Sequence, residues 1–196
     1  VTGRRIAELR EVCDRLSVVE LVVAENGGYC FSPGSNVGWR IAAPLDSALV
    51  GTLRSCGVEP LALGETIIAT HASQSESVAR AMTTGPPYAG THHVIHNRDS
   101  LMILPSGVDK GSGVREALRF LRIPAEQTVA IGDAENDVAL LQAVGHGVAV
   151  GDAVDGLKEV ADLVTDGAGP HGVEECLDGL AAEGWQRLKP WEARAV

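Results

Sequence analysis

Long apolar runs are missing from this 196-residue chain. No stretch approaches the roughly 20 apolar residues that a bilayer-spanning helix needs, and no charged-then-apolar leader opens the sequence, so the expectation is a soluble, cytoplasmic protein with no membrane partner. Positive charge is also scarce. Sixteen Lys and Arg stand against 26 Asp and Glu, a net charge of −10, which argues against nucleic acid as a partner because a phosphate backbone requires a basic face. The four cysteines, Cys13, Cys30, Cys56 and Cys176, lack C-x-x-C spacing and lie mostly among apolar neighbours, so they read as reduced core or surface residues. Gly111-Ser112-Gly113 lacks the third glycine of a dinucleotide fingerprint, no G-x-x-x-x-G-K-[ST] loop occurs, and there is no Ser or Cys nucleophile elbow. Nucleotide cofactors are therefore unsupported. What is present, 45% hydrophobic and 21% charged residues, suffices for one good core or two modest ones.

The grammar of the chain changes twice. Ile6, Leu9, Cys13 and Leu16 mark one face of a first helix, and Val18 to Ala24 reads as a strand closed by the turn Glu25-Asn26-Gly27-Gly28. Tyr29 to about Ala43, with Pro33, Gly34 and Gly38 between apolar groups, predicts a hairpin. A helix on Leu45, Leu49, Leu53 and Cys56 is stopped by Gly57, a strand covers Thr66 to Thr70, and Ser73 with Glu76 has the spacing of a capping box for a helix running through Met82. Gly85-Pro86-Pro87 ends that helix, and strands at Thr91–His96 and Leu101–Leu104 meet through Asn97-Arg98-Asp99. Beyond Pro105 short apolar strands at Thr128–Ile131, Gly147–Val150 and Leu163–Thr165 alternate with helices from about Ser112, at Val138–Val144, at Val154–Val160 and at Val173–Leu180. That alternation specifies an α/β fold with a doubly wound parallel sheet, whose ligands gather at the carboxyl ends of the strands. Residues 1–28 fit the same layer, so the division is core at 1–28, an inserted α+β module at 29–105, core again at 106–182 and a poorly ordered tail at 183–196.

The densest chemistry lies where the strand at Thr128 ends. Gly132 is followed by Asp133, Glu135 and Asp137, three carboxylates around one strand-to-helix turn. Such crowding suits a hard divalent ion whose remaining ligands are substrate phosphate oxygens. It equally suits a turn in which Asp133 or Asn136 caps the helix and the other acids favour its positive end. His92, His93 and His96 offer a metal-like spacing, but Thr91, Val94 and Ile95 favour a strand, on which those rings stand too far apart to share an ion. His171, Trp39 and Tyr88 read as loop or packing residues.

Six segments in order resemble the haloacid dehalogenase superfamily of aspartyl-phosphate phosphatases, in its type IIB, Cof-like branch. Val1-Thr2-Gly3-Arg4-Arg5 is similar to motif II, Ala24 to Gly28 to the segment entering the cap, Gly107 to Gly111 to motif III and Gly132 to Asp137 to motif IV, with Val148 to Ala153 and Ala161 to Val173 similar to that branch's closing segments. The resemblance covers nearly the whole chain, and its compact cap is similar to that of archaeal-type phosphoglycolate phosphatases. It implies a Mg²⁺-dependent phosphatase of a small phosphorylated metabolite, with 2-phosphoglycolate as first substrate and a sugar phosphate as the next. It assigns Lys110 and Thr2 to catalysis, with Gly3 and Asn136 beside them at the substrate phosphate, and Asp133 and Asp137 to the metal. The residues agree: a lysine opening a helix opposes the macrodipole, which an anion relieves, and Gly111 and Gly113 let backbone N–H groups approach the same anion. The plain alternatives are a solvated surface lysine at 110 and, at Thr2, an N-cap for a helix beginning near Arg4.

The D-x-D-G-T segment that supplies the superfamily's nucleophile and general acid is absent. Asp14, Asp46 and Asp99 have neither its spacing nor a preceding buried strand. The chain thus reads as an inactive truncation that begins inside a βαβ unit, by a misassigned start, a chosen boundary or proteolysis. A phosphomannomutase-like phosphomutase and a phosphometabolite-binding pseudoenzyme are the competing readings, and a homodimer is the assembly allowed for.

Overall fold

The computed structural model describes residues 1–84, 88–97 and 99–183. The chain divides after Gly113 into two compact units. In the first, α1 (Ile6–Val12) precedes an antiparallel meander of β1 (Val22–Ala24), β2 (Tyr29–Ser32) and β3 (Val37–Arg40), with Val23 opposite Cys30 and Cys30 opposite Trp39. Its small core is Val22, Ala24 and Phe31, against which Ile6, Leu9 and Leu16 pack, so the predicted apolar face is the one that is used. The helix is nevertheless shorter than its pattern, and Leu16 sits in a 3₁₀ turn over Leu16–Val18. The expected strand at Val18 contracts to three residues because Val18 and Val19 face solvent and pairing begins only at Val22.

A second antiparallel sheet in the same unit comprises β4 (Ala62–Leu63), β5 (Ile68–His71), β6 (His92–Asn97) and β7 (Ser100–Pro105) in the order β4-β5-β7-β6, with helices α2 (Ser47–Ser55) and α3 (Ser75–Thr83). Asp46 caps α2 by accepting from the Ala48 and Leu49 amides at 2.8 and 3.2 Å. Alternation along β5 and β7 turns Ile68, Leu101 and Ile103 toward Leu49, Leu53, Val78 and Met82 of the helices, which forms the largest core of this unit. The capping box expected at Ser73 is not made: Ala72–Gln74 form a 3₁₀ turn that closes the backbone directly, and α3 starts at Ser75 without a side-chain cap. The Gly85-Pro86-Pro87 stop and Arg98 of the hairpin turn lie outside the described residues.

Helix α4 (Lys110–Leu121) opens at the end of the first unit, two residues earlier than Ser112, because Asp109 caps it. The Asp109 carboxylate accepts from the Ser112 amide at 2.6 Å and Ser112 Oγ accepts from the Asp109 amide at 2.9 Å, a reciprocal box that satisfies two terminal donors. The second unit continues with β8 (Val129–Gly132), α5 (Val138–Gln142), β9 (His146–Ala149), α6 (Asp155–Lys158), β10 (Leu163–Val164) and α7 (Gly169–Glu183). The strands form a parallel sheet in the order β10-β9-β8, as the alternation predicts. Central β9 is buried on both faces: Ala149 joins Leu118, Leu140, Leu141 and Leu157 on one side, and Val148 meets Cys176 and Leu180 of α7 on the other. The predicted tail from residue 184 onward lies outside the described residues. Among the described residues no helix is long and apolar enough to cross a membrane, and no disulfide joins the four cysteines.

Candidate functional site

The turn after β8 keeps its three acids apart in environment. Asp137 is buried, 4% exposed, and its Oδ2 accepts from the backbone amides of Asp133 and Ala134, each at 3.2 Å. Asp137 therefore closes the turn from inside, whereas Asp133 and Glu135 are exposed and Asn136 is half-buried. Asp137 thus reaches back to the start of the turn, and it occupies the N-cap position of α5 without a side-chain cap hydrogen bond to that helix. Gly132 is required by proximity: a Cβ there would lie 2.6 Å from the Asp137 Cβ. The result is an exposed carboxylate and a buried, backbone-anchored one on a single turn at the carboxyl end of a parallel strand, where α/β sheets bind ligands.

Neighbouring strand ends in the same unit are stitched to this turn. The Val154 amide donates to the Asp133 carbonyl at 3.0 Å, the Gly151 amide to the Gly167 carbonyl at 2.8 Å, and the Gly169 amide to the Asp152 carboxylate at 2.7 Å. A Cβ on Gly151 would meet the carbonyl oxygens of Asp166, Gly167 and Thr165 within 3.0 Å, so only glycine fits where the two loops touch. The Gly167 amide is held in turn by Glu175 of α7 at 2.9 Å.

Thr2, Gly3 and Lys110 belong to the first unit. The Thr2 amide donates to the Val23 carbonyl at 2.8 Å and its carbonyl accepts from the Asn26 amide at 3.1 Å, which fixes this segment beside β1. The Thr2 hydroxyl accepts from the Arg4 amide at 3.1 Å. It is not the helix N-cap, since α1 begins at Ile6 with Arg5 in the cap position. Lys110 is buried, 9% exposed, so it is no solvated surface lysine. Gly113 serves packing and not access to an anion: its amide donates to the Asp109 carbonyl at 3.1 Å, and a Cβ there would lie 2.4 Å from the Gly27 Cα.

Two residues of this neighbourhood escape the sequence reading. Asp109 has a legible signal, an acid three residues before a serine at a helix start. Glu25, in the turn between β1 and β2, has none. It is 2% exposed and accepts four hydrogen bonds: from the Glu65 amide at 3.0 Å, the Thr66 amide at 2.8 Å, the Thr66 hydroxyl at 3.0 Å and the Ile67 amide at 3.2 Å. Glu25, Asn26 and Gly27 have φ of 53°, 50° and 102°, three successive left-handed residues of which only glycine adopts that region freely. The histidines of β6 lie on a strand as expected, with His92 and His96 on one side of it and His93 on the other. Among the described residues no three His, Cys, Asp or Glu side chains group as metal ligands.

A parallel sheet flanked by helices, with a carboxylate turn at the carboxyl end of a strand, defines an α/β class whose ligands gather at the strand ends. Comparison with known proteins agrees with it. The haloacid dehalogenase-like hydrolase family matches residues 64–177, more than half of the chain. A phosphoglycolate phosphatase of Methanopyrus kandleri is 30% identical over 188 residues, which cover 93% of this chain and 81% of that protein. A phosphoglycolate phosphatase of Methanosarcina acetivorans is 34% identical over 92 residues, 47% of this chain and 41% of that protein, so the match spans less than half of that relative. Among solved structures, a haloacid dehalogenase-like hydrolase from Bacteroides thetaiotaomicron shares the fold at a TM-score of 0.75 and 19% identity, covering 91% of this chain and 84% of the other. A subclass IIB sugar phosphatase of the same superfamily does so at 0.71 and 20%, covering 92% and 84%. The chain belongs to the haloacid dehalogenase-like hydrolase family. Within it the chain is similar to the phosphoglycolate phosphatases of Methanopyrus and Methanosarcina.

Proposed function

We propose that this chain carries the phosphate-binding and metal-binding parts of a Mg²⁺-dependent phosphatase acting on a small phosphorylated metabolite, 2-phosphoglycolate first and a sugar phosphate second. The observation that carries the reading is the β8 turn, with Asp137 anchored by two amides and Asp133 exposed at the strand end. Two carboxylates on one turn fit Mg²⁺, which is held by one or two protein carboxylates and completes its shell with water and phosphate oxygens. Asp133 and Asp137 would hold the ion, and when bound it supplies positive charge against the phosphate oxygens. The family resemblance assigns Lys110, Thr2, Gly3 and Asn136 to substrate phosphate: Lys110 would offer a fixed charge, Thr2 a hydroxyl, Gly3 a backbone without a side chain in the way, and Asn136 a hydrogen-bonding amide. The module at 29–105 acts as the cap, with the second antiparallel sheet as its main part. The phosphoglycolate phosphatases of Methanopyrus and Methanosarcina support the substrate choice. A cytoplasmic setting and a homodimer go with this reading.

Chemistry in this family's manner passes the phosphoryl group to an aspartate and then to water, with a second acid protonating the leaving oxygen. Neither aspartate lies in a D-x-D-G-T segment of these 196 residues, so residues 1–196 alone bind phosphate and do not turn it over. The test compares residues 1–196 with a version preceded by a strand bearing D-x-D-G-T, assayed for phosphate release from 2-phosphoglycolate, sugar phosphates and an aromatic phosphate. Mg²⁺-dependent release by the longer form only is expected. Robust release by residues 1–196 would mean that the nucleophile is misassigned, and Asp152 and Asp166 would be the next to substitute.

A further inference from the structure

The turn Glu25-Asn26-Gly27 uses each of its three residues to hold a different part of the first unit. Glu25 fixes 65–67 through its carboxylate, four donors onto one buried group. The Glu25 and Asn26 amides hold the N-terminal segment, donating to the Arg4 and Thr2 carbonyls at 3.1 Å each. The Asn26 side chain lies within 3.2 Å of the place a Gly3 Cβ would take, and its amide nitrogen contacts Met102 Sδ. Gly27 lies flush against the Asp109–Gly113 segment, since a Cβ on it would overlap the Asp109 carbonyl and come within 3.2 Å of the Gly113 nitrogen. Lys110 is the residue after Asp109.

Left-handed backbone at Glu25 and Asn26 persists only where surrounding contacts over-determine it. A carboxylate buried this deeply is stable only while its donors stay in place. The two conditions support each other: the four hydrogen bonds hold the turn in its unusual conformation, and that conformation sets Thr2 against Asn26 and Asp109 against the adjoining Gly27.

We infer that Glu25 is a positioning residue whose grip on 65–67 fixes, through Asn26 and Gly27, where Thr2 and Lys110 stand relative to each other. The functional side of this inference rests on reading Thr2 and Lys110 as phosphate ligands. Because the same turn holds 65–67, phosphate at Thr2 and Lys110 tightens that segment, and loosening that segment weakens phosphate, by the reciprocity of linked equilibria.

The experiment measures amide hydrogen exchange and chemical shifts in residues 1–196, wild type and Glu25→Gln, with and without inorganic phosphate. Glu25→Gln faces an NH₂ toward the same donors. It should raise exchange tenfold or more at 65–67 and also at Thr2, Asn26 and Gly113, while Val50 and Leu53 of α2 keep their rates. It should weaken inorganic phosphate about tenfold, and phosphate should slow exchange at 65–67 in the wild type but not in the variant. Faster exchange confined to 65–67 overturns the inference. Should Glu25→Gln fail to fold, Thr66→Val removes one donor at nearly constant volume and should give the same pattern at smaller amplitude, and unchanged amides at Thr2 and Gly113 overturn the inference there too. A wild-type chain with no phosphate response, alongside a Glu25→Gln chain loosened at Thr2 and Gly113, sinks the phosphate reading and leaves the coupling through the turn intact.

Discussion

Glu25 and Asp133 each follow a short strand into a tight turn, and they end in opposite settings. Glu25 leaves β1 and is enclosed by four donors from 65–67, while Asp133 leaves β8 and stands exposed. Asp137 lies between these extremes, buried with two amides on one oxygen. Burial together with donated backbone N–H groups, more than the crowding of acids along the chain, marks Glu25 and Asp137 as acids that build the frame.

The comparison can be broken at its strongest point first. Glu25→Ala strands three amides and a hydroxyl in a buried site and should cost about 3 kcal/mol or more, read as a shift of the urea midpoint. A cost under about 1 kcal/mol would erase the distinction between Glu25 and Asp133. Lys110→Ala, made in a version that carries the nucleophile and shown to be folded by its melting transition, should lower turnover about 10²-fold, equivalent to about 2.7 kcal/mol of transition-state stabilisation. Wild-type kinetics in that variant would remove the lysine from the chemistry. Asp137→Ala leaves two amides unsatisfied at a buried position and should cost about 2 kcal/mol. Asp133→Ala sharpens the contrast from the other side: it should move stability by less than about 0.5 kcal/mol without Mg²⁺, while millimolar Mg²⁺ should raise the melting temperature of the wild type and not of the variant. A Mg²⁺ response that survives Asp133→Ala would send the ion elsewhere.

The smallest effect concerns His92. Burial pushes its pKa down, with His93 adding to the effect and Asp46 opposing it. A depressed folded value means that the unfolded chain takes up the proton first. The neutral ring's contribution is therefore fully present above about pH 6.5, the unfolded value, and is lost as pH falls through the folded value. Urea midpoints between pH 8 and pH 5 should show a decline that His92→Gln reduces.

The second unit was the more legible because its elements alternate and each strand is an apolar run, so periodicity and order suffice for the parallel sheet. In the first unit, apolar residues mislead: Val18 and Val19 look like strand and face solvent, and the two-residue β4 is too short to leave a pattern. The candidate site was legible as composition and not as geometry. Gly-Asp-x-x-Asn-Asp announces its carboxylates, but nothing in it says that Asp137 points inward and Asp133 outward. Glu25 was invisible for a different reason. Its partners are main-chain amides some 40 positions away, and every residue type but proline carries one.

Gly27 and Gly113 meet with no room for a methyl group on either side. This joint of the first unit is thus made by two residues without side chains, and no compensating change is available there, since neither partner has an atom left to give up. Random mutagenesis should find this pair less tolerant than any leucine of the cores, where a smaller neighbour can always make way for a larger one.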